Sequence, residues 1–178
     1  MDREVLARRV KEIAYLSGEF RLRSGKTSTF YLDKYRFESD PTLLRSIALE
    51  MVALLPETFD KLAGLELGGI PLCTALSLET GKGCLYVRKV AKDYGTENIV
   101  EGGLVHGEEV VVIEDVITTA GQVVSSVSEM RNLDLEVKKV VCVIDREQGG
   151  REKLSTIGCS LSSVFTLSEL EQLTQNYT

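Results

Sequence analysis

The chain has little histidine, cysteine or proline in its 178 residues, and each scarcity excludes a class of feature. The four cysteines include no Cys-x-x-Cys pair, so their spacing cannot assemble a structural zinc cluster. His106 is the only histidine, so a catalytic triad built on histidine would have to use it. With only three prolines and no repeat or low-complexity tract, no domain boundary is marked, and we expect one domain over residues 1–178.

Long apolar runs and an excess of basic residues are also absent. No stretch approaches the roughly 18 apolar residues of a membrane span, and the first ten residues do not resemble a signal peptide. The net charge of −6 argues against general nucleic-acid binding, which usually shows a basic excess. A hydrophobic fraction of 43% is enough to bury a core. We therefore expect a cytoplasmic globular protein whose thiols are reduced.

The charge is unevenly distributed along the chain. Residues 1–36 have a balance of +4, and residues 82–92 have a balance of +4 with no acidic side chain. The rest of the chain is correspondingly more acidic, at −14. Solvated surface charge explains many basic stretches, but two of them on an acidic protein also fit an anionic small-molecule ligand.

Apolar strands alternate with helical patterns through most of the chain. Strands are predicted near residues 61–65, 84–87, 109–114, 137–144 and 161–165, and helices near residues 3–16, 41–55, 68–79 and 121–131. A further short helix and a terminal helix complete the pattern. This alternation predicts an α/β fold with a mainly parallel central sheet flanked by helices. Residues 1–37 do not follow it, so we expect them to form a small N-terminal element, with the core over residues 38–178.

The most informative segment is the run VVVIEDVITTAG at residues 110–121. A buried strand leads into two carboxylates, and small and hydroxyl residues then lead into a helix. Ligands of open α/β sheets bind beyond the carboxyl ends of the strands, and free N–H groups at a helix start suit a phosphate. The carboxylates accept hydrogen bonds from vicinal hydroxyls, so the segment suits a ribose 5-phosphate. A surface turn before a capped helix is the alternative interpretation.

This segment resembles the phosphoribosyl-pyrophosphate (PRPP) signature of type I phosphoribosyltransferases. Within that superfamily the chain is most similar to the orotate phosphoribosyltransferase family, from about Gly18 to Phe165. The supporting motifs are RSGKTS at residues 23–28, GGIPL at residues 68–72, Arg88-Lys89 and Asp145-Arg146. The resemblance implies the type I phosphoribosyltransferase fold with a small N-terminal hood.

The resemblance also implies a reaction and its partners. The enzyme would transfer the 5-phosphoribosyl group from PRPP to orotate, giving orotidine 5′-monophosphate and pyrophosphate in pyrimidine synthesis. Mg²⁺ would be carried by the oxygens of PRPP, with no direct protein ligand, because Mg²⁺ loses its water reluctantly. In the family a basic loop reaches into the neighbouring subunit's site, which implies a homodimer with shared active sites.

The resemblance assigns roles to individual residues. The PRPP-binding set is Arg88, Lys89, Lys92, Tyr94, Glu114, Asp115, Thr118, Thr119, Ala120, Gly121, Gly68 and Gly69. The orotate-binding set is Lys26, Phe30, Tyr31, Thr118 and Arg146, with the main chain of Phe30 and Tyr31 against the pyrimidine ring. The catalytic residues would be Lys92, Asp115 and Lys26. Positive charge over the pyrophosphate would stabilise the leaving group, and a guanidinium can bind a planar carboxylate through two hydrogen bonds.

Three positions depart from the better-known members of the family. Tyr94 stands where those members have a histidine, Gly68 where they have a lysine, and Glu114 where they have an aspartate. A tyrosine can donate a hydrogen bond to phosphate, but it cannot readily exchange a proton near neutral pH. Two alternative functions stay open here: transfer to another base such as a purine, and PRPP sensing by a regulator without catalysis.

Overall fold

The computed structural model describes residues 1–21, 25, 27–90 and 98–174, with only the backbone described at Ser28.

Helix starts are set by local capping interactions. The Asp2 side chain accepts a hydrogen bond from the Glu4 N–H and begins α1 (Arg3–Ala14). Asp40 accepts from the backbone N–H groups of Thr42 and Leu43 at 2.9 and 3.0 Å, which begins α3 (Pro41–Val52). Both starts agree with the sequence pattern.

The segment between these helices holds a hairpin and one helical turn. Strands β1 (Tyr15–Arg21) and β2 (Thr27–Leu32) pair antiparallel in a two-stranded sheet. The short α2 (Tyr35–Glu38) follows and buries Phe37 and Glu38. We call the β1–β2 hairpin the hood.

The main sheet has six strands in the order β5-β4-β3-β6-β7-β8. Its strands are β3 (Lys61–Leu65), β4 (Gly83–Val87), β5 (Val100–Glu101), β6 (Glu109–Ile117), β7 (Glu136–Asp145) and β8 (Ser160–Thr166). The intervening helices are α4 (Gly69–Thr80), α5 (Gly121–Asn132) and α6 (Gly150–Ser155), and α7 (Leu167–Thr174) ends the described chain. All paired strands are parallel except β4 and β5. The predicted mainly parallel α/β fold is confirmed.

Hydrophobic clusters cover both faces of this sheet. Along β6, Val111 and Ile113 pack in one cluster, whereas Val110 and Val112 pack in the other. Successive side chains of a strand point to opposite faces, so a sheet covered on both sides needs a continuous apolar run. The central strands therefore lack the polar alternation of a half-exposed sheet.

Two features differ from the sequence prediction. β5 was not among the predicted strands, and it pairs with β4 through Val100 and Glu101 alone. β6 extends to Ile117, because its pairing with β7 continues to the Ile117–Asp145 register. Glu114 and Asp115 thus lie inside the strand and not after it. In the described part of the chain, no helix is long and apolar enough to cross a membrane.

Candidate active site

A cleft of about 670 Å³ opens at the carboxyl ends of β3, β4, β6 and β7. Main-chain and side-chain atoms from the hood, the strand ends and the start of α5 line it. The lining residues used below are Tyr31, Lys34, Arg88, Lys89, Glu114, Thr118, Thr119, Ala120, Gly121 and Arg146. The location agrees with the general rule for ligand sites in open parallel sheets.

The turn from β6 into α5 forms one wall of the cleft. Ala120 adopts a left-handed conformation with φ 55°, and α5 begins at Gly121 without a side-chain cap. The first N–H groups of a helix have no partner inside the helix, so they are available to an anion. Thr118 and Thr119 add two hydroxyl groups beside them. This wall suits a phosphate group.

The floor of the cleft contains closely packed carboxylates. Asp115 is fully buried, and its Oδ2 atom lies 2.7 Å from the Lys34 ammonium. Gly68 lies against it so closely that an added Cβ would overlap the Asp115 carboxylate. A side chain at position 68 is therefore incompatible with this arrangement, which gives a physical reason for glycine where better-known relatives have lysine. Gly69 is similarly close to the Ile113 carbonyl.

Glu114, the residue before Asp115 in β6, lines the cleft. Burial and the neighbouring Asp115 raise the pKa of Glu114 well above its usual value, and the positive charge of Lys34 opposes this shift. Its Oε2 atom is buried without a hydrogen-bond partner among the described residues. Because the Glu114 side chain lines the cleft, its carboxyl group can accept hydrogen bonds from a bound diol.

Lys34 and Glu38 are site residues that the sequence did not reveal. Burial alone disfavours the Lys34 ammonium, but the charges of Asp115 and Glu114 outweigh it and raise the pKa of Lys34. Burial followed by the Asp115 charge raises the pKa of Glu38 to about 8. In the sequence both residues are ordinary charges near a hood, and no motif marks them.

Basic side chains form the opposite rim. The Arg88 Nε atom lies 3.4 Å from Glu101 Oε1, and Lys89 is exposed at the edge of the cleft. The Lys89 backbone N–H donates to Glu66 Oε2 at 3.1 Å. This edge of the cleft can therefore meet an anionic ligand.

Arg146 reaches the cleft from the end of β7. Its backbone N–H donates to the Ile117 carbonyl at 2.8 Å, which ties its position to β6. The guanidinium carbon lies 5.9 Å from the centre of the Phe30 ring, and Nε is buried without a hydrogen-bond partner among the described residues. Phe30 itself stacks on Tyr15, with ring centres 4.8 Å apart. The guanidinium can thus receive a planar anion beside the hood.

Comparisons with known proteins agree with this geometry. Residues 41–165 match the model of the phosphoribosyl transferase domain. The chain is 48% identical over 166 residues to the orotate phosphoribosyltransferase of Nocardioides sp., covering 93% of each chain. It belongs to the orotate phosphoribosyltransferase family.

Solved structures show the same fold over nearly the whole chain. The Mycobacterium tuberculosis orotate phosphoribosyltransferase in complex with PRPP is 28% identical, with a TM-score of 0.81 over 96% of this chain and 99% of that one. Leishmania donovani UMP synthase gives a TM-score of 0.86 at 28% identity and covers 99% of this chain. The chain spans 39% of the length of that UMP synthase.

The structure brings most of the predicted site residues into one cleft. Those at its surface are Arg88, Lys89, Glu114, Thr118, Thr119, Ala120, Gly121, Tyr31 and Arg146. Asp115, Gly68 and Gly69 are buried behind the surface, and Phe30 supports it from the hood. Three predicted residues, Lys26, Lys92 and Tyr94, lie outside the described residues.

Thiols and the single histidine do not line this cleft. Cys73, Cys142 and Cys159 are buried, and Cys84 is half-buried with its Sγ 3.3 Å from that of Cys73. All four are free thiols. His106 is exposed in a loop, with its Nδ1 atom 3.1 Å from the Leu133 carbonyl. The chemistry of the cleft therefore depends on carboxylates, hydroxyls and cations.

Proposed function

We propose that the chain transfers the 5-phosphoribosyl group of PRPP to orotate in this cleft, releasing pyrophosphate and orotidine 5′-monophosphate. One observation supports this most: the uncapped start of α5 and the side chains of Glu114 and Arg146 line a single cleft. These groups suit, respectively, a phosphate, a ribose diol and an anionic ring. The reaction then belongs to pyrimidine synthesis.

PRPP is proposed to lie along the β6–α5 turn. Its 5-phosphate would accept hydrogen bonds from the N–H groups at Gly121 and from the hydroxyls of Thr118 and Thr119. Its ribose hydroxyls would donate to Glu114, with Asp115 beneath. The pyrophosphate would meet Arg88 and Lys89, and, by family resemblance, Lys92 and Tyr94. Gly68 and Gly69 would let the backbone approach closely, because neither has a Cβ.

Orotate is proposed to lie between the hood and β7. Arg146 would bind its carboxylate, and the main chain of Phe30 and Tyr31 would contact the ring, with Lys26 closing from the hood by family resemblance. The C1–oxygen bond of PRPP breaks with its electron pair leaving on pyrophosphate. The ring nitrogen of orotate then forms the new bond to C1, and the proton of its N–H group is released to water. By family resemblance this nitrogen needs little activation, so we expect no strong general base.

Mg²⁺ is proposed to enter bound to PRPP. Among residues 1–21, 25, 27–90 and 98–174, no three acidic, cysteine or histidine side chains are grouped to hold a metal ion. The proposed ion would take its ligands from PRPP oxygens and water, because Mg²⁺ loses its water reluctantly. The ion would neutralise charge on the departing pyrophosphate.

The assembly and compartment are also proposals. Family resemblance supports a homodimer in which the loop after Arg88 completes the partner's site. Each chain would form one domain over residues 1–178, whose small N-terminal element near residues 1–37 contains the hood. Four free thiols fit a reducing, cytoplasmic setting. Light scattering at several protein concentrations would measure the oligomeric state.

Substrate choice is tested by ultraviolet absorbance. The protein is mixed with PRPP, Mg²⁺ and one base at a time: orotate, adenine, guanine, xanthine or uracil. Of the five bases, we expect only orotate to be consumed, with loss of its absorbance and release of pyrophosphate. Turnover of a purine without loss of orotate would contradict the assignment, and salt-dependent nucleic-acid binding without turnover of any base would favour a regulator.

A further inference from the structure

The short helix α2 brings two charged residues beneath the cleft. Lys34 immediately precedes α2 and Glu38 ends it, so the two residues are four positions apart and lie on one face of the turn. The Lys34 ammonium lies 2.7 Å from Asp115 Oδ2, and only 6% of Glu38 is exposed. We call Lys34, Glu38 and Asp115 the floor cluster.

In the part of the chain that the structure describes, Glu38 has no hydrogen-bond donor beside it, so only a proton of its own could link it to Asp115. Both of its carboxyl oxygens are buried without a hydrogen-bond partner among the described residues. Its Oε1 atom lies 2.8 Å from the point where a Gly68 Cβ would stand, and that same Cβ would overlap the Asp115 carboxylate. The carboxyl groups of Glu38 and Asp115 therefore both lie beside the Gly68 backbone. The Glu38 carboxyl group is close to Asp115 and shielded from solvent.

The surrounding charges disfavour ionisation of every member at once. The groups that act on Glu38 are Asp115 of β6 and Lys34 and Asp33 before α2; Tyr35 and Glu114 also interact with it. If Glu38, Asp115 and Glu114 were all ionised, the Lys34 ammonium would face three carboxylates that have little access to water. A protonated Glu38 relieves this, because it removes one negative charge and can donate its proton to the Asp115 carboxylate.

We propose that Lys34 and Glu38 are positioning residues for phosphoribosyl transfer, which hold the Asp115 carboxylate and the Gly68 backbone in place. Lys34 pairs with Asp115, and Glu38 shares one proton with the Asp115 carboxyl group. This inference rests on the proposed function for its consequence, since the floor cluster lies directly under the proposed ribose site. Loss of the shared proton adds a negative charge below a polyanionic ligand. PRPP binding should weaken when that happens.

The direction of the pH effect follows from the raised pKa of Glu38. Below about pH 8 the folded protein keeps the proton, and above it Glu38 becomes negative. Between about pH 7 and about pH 9 the Kd of PRPP should rise in the unaltered protein. We expect this rise to be about threefold to tenfold larger than the rise in Glu38→Gln. Glutamine keeps the volume and a donor to Asp115, but it does not titrate. Glu57→Gln, an exposed loop position, is the matched control and should follow the unaltered protein.

Two readouts need no substrate. Carboxyl carbon NMR, with Glu38 assigned through the Glu38→Gln spectrum, should give a midpoint near 8. Thermal unfolding gives the second: between the ordinary pKa of glutamate and about 8, only the folded state holds this proton, so stability falls as pH rises. The Tm advantage of Glu38→Gln over the unaltered protein should therefore grow from about pH 5 to about pH 8.

Lys34→Gln tests the cationic member. Without the ammonium, Asp115 and Glu38 lose their counter-charge, so the Glu38 midpoint should move upward and PRPP binding should weaken. A Glu38 that only fills space would give parallel pH profiles for Glu38→Gln and the unaltered protein. That result, or a Glu38 midpoint near the ordinary value, would overturn the inference. Failure of the proposed function would instead appear as absent orotate turnover with the Glu38 midpoint intact.

Discussion

The floor and the rim of the cleft differ in how much their side chains can move. In the floor cluster Asp115 and Glu38 are buried beside Gly68, and the half-buried Lys34 ammonium lies 2.7 Å from Asp115 Oδ2. The rim side chains of Lys89 and Arg146 are exposed or half-buried at the ends of strands. A small displacement in the floor cannot be absorbed, because close-packed interiors transmit strain. Changes at the rim should remove one contact at a time.

Gly68→Ala is expected to have the largest effect. Its methyl group would overlap the Asp115 carboxylate and displace the floor, so kcat/KM for PRPP should fall by about 100-fold or more. Steady-state kinetics measures the change, and circular dichroism checks the fold. Gly83→Ala is the matched control, since a Cβ there lies 3.6 Å from the Lys61 side chain and meets ordinary contact. Equal activity of the two variants would show that the floor is not tightly packed.

Arg146→Ala is expected to have an intermediate and selective effect. Removing a charged hydrogen-bond partner of the orotate carboxylate should raise KM for orotate by about tenfold to 100-fold. The Kd of PRPP should change little, because Arg146 lies on the hood side of the cleft. Arg45→Ala is the control, because that side chain is 74% exposed and pairs with Glu79 away from the cleft. A loss confined to PRPP would place the orotate site elsewhere.

Lys89→Gln is expected to have the smallest effect of the three. An exposed charge is screened by solvent and salt, so KM for PRPP should rise about fivefold or less, and the difference should shrink at high ionic strength. Lys138→Gln is the control, because Lys138 pairs with Glu136 and Glu109 at the opposite ends of the strands. A salt-independent loss as large as that of Gly68→Ala would contradict the distinction between floor and rim.

The sequence predicted the elements whose signals are local. Asp40 followed by Pro41 marks a helix start because the cap and the first helical residue are adjacent in the chain. The apolar run before Glu114 marks a buried strand because both faces of the sheet are covered. The end of β6 was predicted three residues early, since Ile117 is held in the strand by its register with Asp145, which is not a local signal.

The candidate site divides in the same way. Glu114, Thr118, Thr119 and Gly121 form one contiguous motif, so the type of ligand could be inferred from residue order alone. Arg88, Lys89 and Arg146 were indicated by resemblance, and the structure places them in the same cleft. Lys34 and Glu38 were not found, because their meaning depends on proximity to Asp115 across the fold.

By itself the sequence determined the α/β pattern, the candidate phosphate-binding motif and the family, because each depends on patterns and motifs of residues that are neighbours in the chain. The tertiary structure alone decided which carboxylate is buried, which one faces the cleft, and why position 68 has no room for a side chain. Burial and electrostatic coupling arise only when α2 and β3 are packed against β6. The four cysteines include no pair that could build a zinc cluster, and the single histidine lies outside the cleft. The cleft instead presents carboxylates, hydroxyls and cations.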